Sequence, residues 1–146
     1  IKVIYTGPVD ELLNYELGIL PYRSLRFETE WTEKELGYAV VNEADKNVPY
    51  TRTHDYKYYQ IHQPEVLASK KSYLCREYPA DYKVGKEAYY PVNNAESEAL
   101  YQKYLDLLKE RYPNIILGGR LGAYRYWDMD VAIKNALDLA SFILKK

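Results

Sequence analysis

The hydrophobic periodicity of this chain changes once, close to Pro91, and this change limits the folds that are available to it. Before that point apolar and polar side chains alternate, as in Tyr22–Glu30, which is typical of half-buried strands. After it, apolar side chains recur every three or four residues in two segments that flank the short apolar run Ile115–Leu117. Strands followed by helix–strand–helix, without regular alternation, indicate an α+β fold with a mostly antiparallel sheet and flanking helices.

Local signals place the other elements along the chain. Asp10 is a candidate N-cap of a short helix that runs to Leu17. Asn93, with Glu96 three residues later, has the capping-box spacing that begins a helix, and Pro113 ends that helix. The other predicted strands are Ile1–Tyr5, Gly37–Asn42, Tyr50–Gln60 and Lys71–Tyr78, and Gln63–Lys70 is predicted to be a loop.

The final helix, predicted over residues 129–145 with Asp128 as its N-cap, is apolar around most of its circumference. An apolar face that wide needs cover on more than one side. The chain also begins inside its first predicted strand, so we expect a piece of a longer protein. Because the apolar face of the final helix is so wide, we expect this piece to form a homo-oligomer or to expose an apolar patch. The patch is predicted to consist of Ile133, Leu137, Ala140 and Leu144, widened by Ala136, Leu139 and Ile143.

Composition and charge exclude several classes of function. The 146 residues suit one domain, and 20 basic against 21 acidic residues leave no basic surface for nucleic acid. No apolar run approaches the roughly 20 residues that a membrane helix needs. With one cysteine and two histidines, we expect neither a metal site nor a disulfide, and we interpret His54 and His62 as surface or structural residues. We therefore expect a cytoplasmic protein that binds neither membranes nor nucleic acid.

Two segments are candidate binding sites, and each also has a purely structural interpretation. Gly118-Gly119-Arg120 follows a short strand and precedes a helix, an arrangement that suits a phosphate or the edge of a flavin but also an ordinary glycine turn. Arg52 is able to hold a diphosphate in bidentate fashion, although a surface arginine on a strand is the simpler reading. The chain has no G-x-G-x-x-G dinucleotide fingerprint of its own.

Tyrosine is over-represented, with 18 tyrosines against two phenylalanines. A buried tyrosine hydroxyl needs a hydrogen-bond partner, so this composition predicts polar clefts or an unusually hydrogen-bonded core. Tyr101, Tyr104 and Tyr112 lie at helical spacing, and we expect them in the core. The segments Tyr89–Pro91 and Tyr124–Trp127 are dense in aromatic rings whose hydroxyls are able to bond phosphate oxygens.

Seven segments are informative when they are taken together: Val3–Asp10, Tyr22–Glu28, Tyr50–Arg52, Glu77–Pro79, Tyr89–Asn93, Gly118–Leu121 and Tyr124–Asp130. In this order and spacing they closely resemble the C-terminal part of bacterial UDP-galactopyranose mutase. The resemblance covers essentially the whole chain.

The resemblance implies an FAD enzyme that interconverts UDP-galactopyranose and UDP-galactofuranose. In that family N5 of the reduced flavin carries the chemistry, so no side chain of this chain is expected to be catalytic. Residues of about 18–92 would form the sheet domain, and about 1–17 and 113–146 would return to complete an FAD-binding α/β domain whose N-terminal part is missing. We expect this chain by itself to hold no FAD and to be inactive.

The resemblance also assigns individual residues. The predicted substrate-binding residues are Arg52, Tyr90 and Tyr126, and those near FAD are Arg120, Asp128, Met129, Thr6 and Gly7. The sequence departs from the family after Arg52, where Thr53-His54-Asp55-Tyr56 stands in place of the common Ile-Ile-Glu-His. Two other interpretations remain open: a non-catalytic module that binds a nucleotide sugar, and a structural adaptor with tyrosine-rich surfaces.

Overall fold

The computed structural model describes residues 1–144, so the end of the final helix predicted over 129–145 lies outside the described residues. The predicted strands and helices occur in the predicted order, and the α+β prediction is confirmed. The strands are β1 (Val3–Tyr5), β2 (Tyr22–Thr32), β3 (Val40–Asn42), β4 (Arg52–Asp55), β5 (Ser72–Asp81), β6 (Tyr90–Pro91) and β7 (Ile115–Leu117). The helices are α1 (Val9–Leu12), α2 (Pro64–Leu67), α3 (Ala95–Arg111), α4 (Gly119–Gly122) and α5 (Met129–Leu144), and a 3₁₀ helix spans Tyr56–Tyr59. Four of these short elements were not predicted from the sequence: α2, the 3₁₀ helix, β6 and α4.

The chain divides into two units. Unit 1 comprises Ile1–Ser24 and the chain from Tyr82 onward, and unit 2 comprises Leu25–Asp81. The sheet of unit 2 has the order β3-β4-β5-β2, with antiparallel pairing on both sides of β4. The prediction of a sheet domain over about 18–92 stays a prediction.

Side chains alternate along β4 as the pleat of a strand requires. Thr53 and Asp55 are buried, whereas Arg52 and His54 point to the other face and are partly exposed. The strand is shorter than the predicted Tyr50–Gln60 because the Asp55 carboxylate accepts a hydrogen bond from the Lys57 N–H, which begins the 3₁₀ helix. The segment Gln63–Lys70, which was predicted to be a loop, contains the short helix α2.

Four tyrosines lie in the core of unit 1; three of their hydroxyls donate to backbone carbonyls, and that of Tyr22 donates to the Asp10 carboxylate. Tyr101 donates to the Gly122 carbonyl at 2.9 Å, and Tyr104 donates to the Gly18 carbonyl at 2.6 Å. The prediction that these two rings are buried is confirmed. The same prediction for Tyr112 is wrong, since this ring is 45% exposed. Tyr112 lies beyond the last turn of α3 with non-helical backbone angles, so the helical spacing no longer directs it toward the core.

Two predicted caps are displaced. Asn94, not Asn93, caps α3: its side chain accepts from the Ser97 N–H at 2.8 Å, and the Asn94 N–H donates to Ser97 Oγ. Asp10 lies inside α1 rather than at its N-cap, and its buried carboxylate accepts hydrogen bonds from the Leu20 N–H and the Tyr22 hydroxyl. The carboxylate thus fixes the chain reversal that follows α1 instead of starting the helix.

The parallel pair β1–β7 and helix α5 carry the most exposed apolar surface of unit 1. No described residue of α5 is buried, and Ile133 and Leu137 are 61% and 64% exposed. Parallel strands normally occur in sheets with both faces covered, so a two-stranded parallel pair is an unusual arrangement. The predicted apolar patch is therefore present on α5. In residues 1–144, no helix has both the length and the apolar character that crossing a membrane would require.

Candidate functional site

The C-terminal ends of β1 and β7 bring two predicted segments together. The strands pair in parallel with Tyr5 opposite Leu117, and the Gly118 N–H donates to the Tyr5 carbonyl at 2.9 Å. Thr6 and Gly7 therefore leave the sheet beside Gly118 and Gly119. Gly119 has φ +69°, and a Cβ there would lie 3.3 Å from the Cβ of Thr6. Only glycine combines this backbone angle with so close an approach.

Helix α4, which the sequence did not reveal, turns the chain directly after these glycines. A Cβ on Gly122 would lie 2.8 Å from the Tyr5 carbonyl oxygen, so a larger residue would push α4 away from β1. The Gly122 carbonyl is in turn held by the Tyr101 hydroxyl of α3. Arg120, on the second residue of this short helix, is partly exposed.

The segment after α4 is fixed by two neighbouring residues that act in different ways. Tyr124 is fully buried at φ +50°, and its hydroxyl donates to the carbonyls of Pro21 at 2.7 Å and Val92 at 3.1 Å. Arg125 forms a bidentate ion pair with Glu98 of α3, with distances of 2.7 and 2.9 Å. A left-handed tyrosine costs on the order of 1–3 kcal/mol and persists only where its surroundings enforce it.

This anchoring presents Tyr126 at the surface beside Tyr90. The two ring centroids lie 5.2 Å apart, and the Arg120 guanidinium carbon lies 5.5 Å from the centroid of the Tyr90 ring. Tyr90 itself is held by the pairing of β6 with β2, where it lies opposite Arg23. The structure therefore brings together Arg120, Tyr90 and Tyr126, for which the family resemblance implies two different ligands. We call these three residues the Arg120 cluster.

Protonation within unit 1 follows from burial and from the Arg125 ion pair. The hydrogen bonds with Arg125 lower the pKa of Glu98, and those with Glu98 raise the pKa of Arg125. Burial raises the pKa of Tyr124 and raises that of Tyr101 to about 12. Both hydroxyls are therefore protonated at neutral pH and donate to the carbonyls described above.

Asp128 and Met129 lie at the start of α5. The Asp128 carbonyl accepts a hydrogen bond from the Ala132 N–H, and both side chains are exposed, Met129 to 76%. Between β1, β7 and α5 lies a groove of about 420 Å³ with a mostly apolar lining. Its walls include Ile4, Thr6, Gly118, Gly119, Trp127 and Phe142.

The remaining predicted residue, Arg52, lies in unit 2 within a polar row that crosses three strands. Its Nε donates to Asn42 Oδ1 of β3 at 2.9 Å, and its Nη1 lies 3.7 Å from Glu77 Oε1 of β5. The same Glu77 oxygen lies 2.5 Å from His54 Nε2, and His54 Nδ1 lies 2.7 Å from the Tyr59 hydroxyl. We call Asn42, Arg52, His54, Tyr59 and Glu77 the Arg52 cluster.

Sequence reasoning missed the partners of Arg52. His54 and Arg52 are two residues apart on one strand, so a shared face was foreseeable from alternation. Asn42 and Glu77 lie directly opposite Arg52 on the neighbouring strands, and the sequence alone does not give this register.

Comparison with known proteins now bears on these two clusters. Residues 1–126 match the family described as UDP-galactopyranose mutase. The chain belongs to the UDP-galactopyranose mutase family. The match includes both clusters and ends at Tyr126, so Asp128 and Met129 lie beyond it.

Similar proteins carry two different names. A probable UDP-galactopyranose mutase of Klebsiella pneumoniae is 39% identical over 97% of this chain, and a dTDP-fucopyranose mutase of Escherichia coli is 36% identical over 98% of it. The UDP-galactopyranose mutase of Mycoplasma pneumoniae is 37% identical over 98% of the chain. The chain spans about a third of the length of these relatives, between 36% and 37%.

Proposed function

We propose that this chain is the C-terminal part of an FAD-dependent mutase that interconverts UDP-galactopyranose and UDP-galactofuranose. The observation that carries the proposal is the family match over residues 1–126. The matched residues include Arg120, which lies over the ring of Tyr90, and Arg52, whose terminal nitrogens are exposed donors. Both are chemically suited to a diphosphate and to the electron-rich edge of a ring.

On the substrate side, we assign the diphosphate to Arg52, Tyr90 and Tyr126. The side chain of Arg52 is 43% exposed, and its Nη groups have no short hydrogen bond among residues 1–144. The exposed Tyr126 and the partly exposed Tyr90 offer hydroxyl donors for further phosphate oxygens. As the bond between the sugar and UDP breaks, negative charge grows on the diphosphate, and positioned donors stabilise that charge more than they stabilise the bound substrate.

On the cofactor side, the residues at the ends of β1 and β7 fit a flavin. Parallel strands bind ligands beyond their C-terminal ends, where Thr6, Gly7 and Arg120 lie. The absence of a side chain at Gly119 allows its backbone to lie close against Thr6 at that edge. We assign these residues, with Asp128 and Met129 at the start of α5, to holding FAD, whose chemistry when reduced and bound is nucleophilic attack on the anomeric carbon.

The partner that we propose for this chain is the N-terminal FAD-binding part of the same mutase. The relatives are about three times longer than this chain, and the parallel pair β1–β7 and the uncovered α5 suit burial within a larger α/β domain. We expect cytoplasmic location and homo-oligomer formation for the whole protein, and both stay predictions.

The experiment is a mutase assay with the longer protein that contains this chain, reduced with dithionite and supplied with UDP-galactopyranose or UDP-galactofuranose. We expect interconversion of the two, resolved by anion-exchange chromatography. A parallel reaction with dTDP-fucopyranose tests the second activity named among the relatives. Binding of UDP-galactopyranose without turnover would favour the non-catalytic binding module, and binding of neither nucleotide sugar would contradict the proposal.

A further inference from the structure

His54 and Arg52 compete for one carboxylate oxygen. Both contact Glu77 Oε1, His54 through Nε2 at 2.5 Å and Arg52 through Nη1 at 3.7 Å. Arginine–carboxylate pairs are frequently bidentate, with two short N–H···O hydrogen bonds. Here the histidine makes the short contact, so the arginine is left with the long one.

The imidazole is itself fixed in this position. In the neutral ring, Nε2–H donates to Glu77 and the Tyr59 hydroxyl donates to Nδ1 at 2.7 Å. The ring also lies against those of Tyr56 and Tyr59, with centroid distances of 6.4 and 6.1 Å. The His54 side chain is only 17% exposed, so these contacts hold it from several sides.

The consequence for Arg52 is that it is anchored at Nε and open at its terminal nitrogens. Asn42 is a neutral acceptor, so it orients the guanidinium without neutralising its charge. Glu77 already offsets part of that charge from 3.7 Å, and a short bidentate pair with it would also occupy the Nη donors. The hydrogen bond from His54 keeps the carboxylate turned toward the histidine.

We propose that His54 is a positioning residue that occupies Glu77 and thereby keeps Arg52 available for a diphosphate. This inference rests on the proposed function for the identity of the ligand, whereas the competition for Glu77 is independent of it. In this role His54 affects the binding of an anion at Arg52 without itself contacting the anion.

The test measures binding of UDP and of inorganic pyrophosphate by titration calorimetry to the longer protein that contains this chain. His54→Leu removes both hydrogen bonds of the ring, and we expect it to weaken binding of both probes about tenfold, as for loss of one hydrogen bond to a charged group. His54→Gln keeps a donor near Nε2 and should bind within about threefold of the parent. The matched control is His62→Leu, at an exposed histidine of the same unit, which should change nothing.

A double variant separates positioning from structural support. In His54→Leu with Glu77→Gln, no carboxylate remains to capture Arg52, so binding should recover to within about threefold of the parent. Glu77→Gln alone should bind pyrophosphate at least as tightly as the parent, and this arm carries the test if His54→Leu does not fold. Parent-like binding in a folded His54→Leu variant, no recovery in the double variant, or weaker binding in Glu77→Gln would each overturn the inference.

The two probes distinguish this inference from the proposed function. Pyrophosphate binding that His54→Leu weakens, in a protein that does not bind UDP, would support the role of His54 and contradict the proposed substrate. Normal UDP binding and mutase activity in His54→Leu would overturn the role of His54 and leave the proposed function standing.

Discussion

Arg52 and Arg120 are both assigned to ligands, but their surroundings differ in kind. Arg52 lies in a polar row with an amide and a carboxylate, whereas Arg120 lies against the face of Tyr90 and, among residues 1–144, has no carboxylate within 4.0 Å. A guanidinium against an aromatic ring keeps its charge and its hydrogen-bond donors. A guanidinium beside a carboxylate keeps its donors available for a ligand only if another group hydrogen-bonds that carboxylate.

The difference also concerns how each arginine is positioned. Arg52 is oriented by hydrogen bonds between neighbouring strands, so its geometry depends on sheet register. Arg120 depends on a glycine-rich turn and on the strained Tyr124 segment that sets Tyr126 beside Tyr90. The first arrangement is sensitive to single polar substitutions nearby, and the second to the packing of unit 1.

The largest effect is expected at Arg52. Arg52→Ala in the longer protein should lower mutase turnover on the order of 10²–10³-fold, because a charged donor to the developing negative charge is lost. The flavin-to-protein ratio should stay unchanged, since Arg52 is assigned to substrate. The control is Lys46→Ala, an exposed cation of the same unit that lies outside the Arg52 cluster. Near-normal turnover, or loss of flavin, would show that the two arginines are assigned the wrong way round.

Arg120→Ala should act on the cofactor instead. We expect FAD affinity to fall about tenfold, because the variant removes a cation from the proposed flavin site. This loss is comparable to that of one partly desolvated contact between a cation and an aromatic ring. Turnover per bound flavin should change far less than in Arg52→Ala. Absorbance spectra of the purified variant and titration with FAD give both quantities. Full flavin occupancy with strongly reduced turnover would move Arg120 to the substrate side.

The hydroxyls of Tyr90 and Tyr126 should matter less than either arginine. Tyr90→Phe and Tyr126→Phe each remove one neutral donor and keep the ring, so the KM for the nucleotide sugar should rise about two- to tenfold. Tyr124→Phe is the contrasting variant, because its hydroxyl serves two backbone carbonyls and not a ligand. It should lower the free energy of unfolding by about 1 kcal/mol and leave KM unchanged. Steady-state kinetics and urea denaturation distinguish the two kinds of effect.

The smallest effect is expected at the ion pair that steadies Tyr126. Glu98→Gln weakens the contact to Arg125, and because both side chains are partly exposed, the loss in stability should be about 1 kcal/mol or less. Screening by salt should reduce the difference between variant and parent, as denaturation at low and high ionic strength would measure. An effect larger than that of Tyr124→Phe would mean that the ion pair, not the buried tyrosine, fixes the segment.

The sequence determined the α+β class, the order of the longer strands and helices, and the grouping of tyrosines. Alternation and helical spacing show which side chains lie on the apolar face of a strand or helix, so Tyr101 and Tyr104 were correctly expected in the core. Glycines after β7 marked the turn where Thr6 and Gly119 meet. The family relationship, too, was carried by segments that the sequence displays.

Tertiary structure alone decided which side chains meet. Asn42 and Glu77 flank Arg52 only because β3, β4 and β5 pair in one register, and a shift by one residue would turn their side chains to the opposite face. Tyr112 resembled its buried neighbours until the end of α3 changed its direction. Local patterns fix which way a side chain points from its own element, whereas contacts between elements depend on long-range packing that no local spacing records.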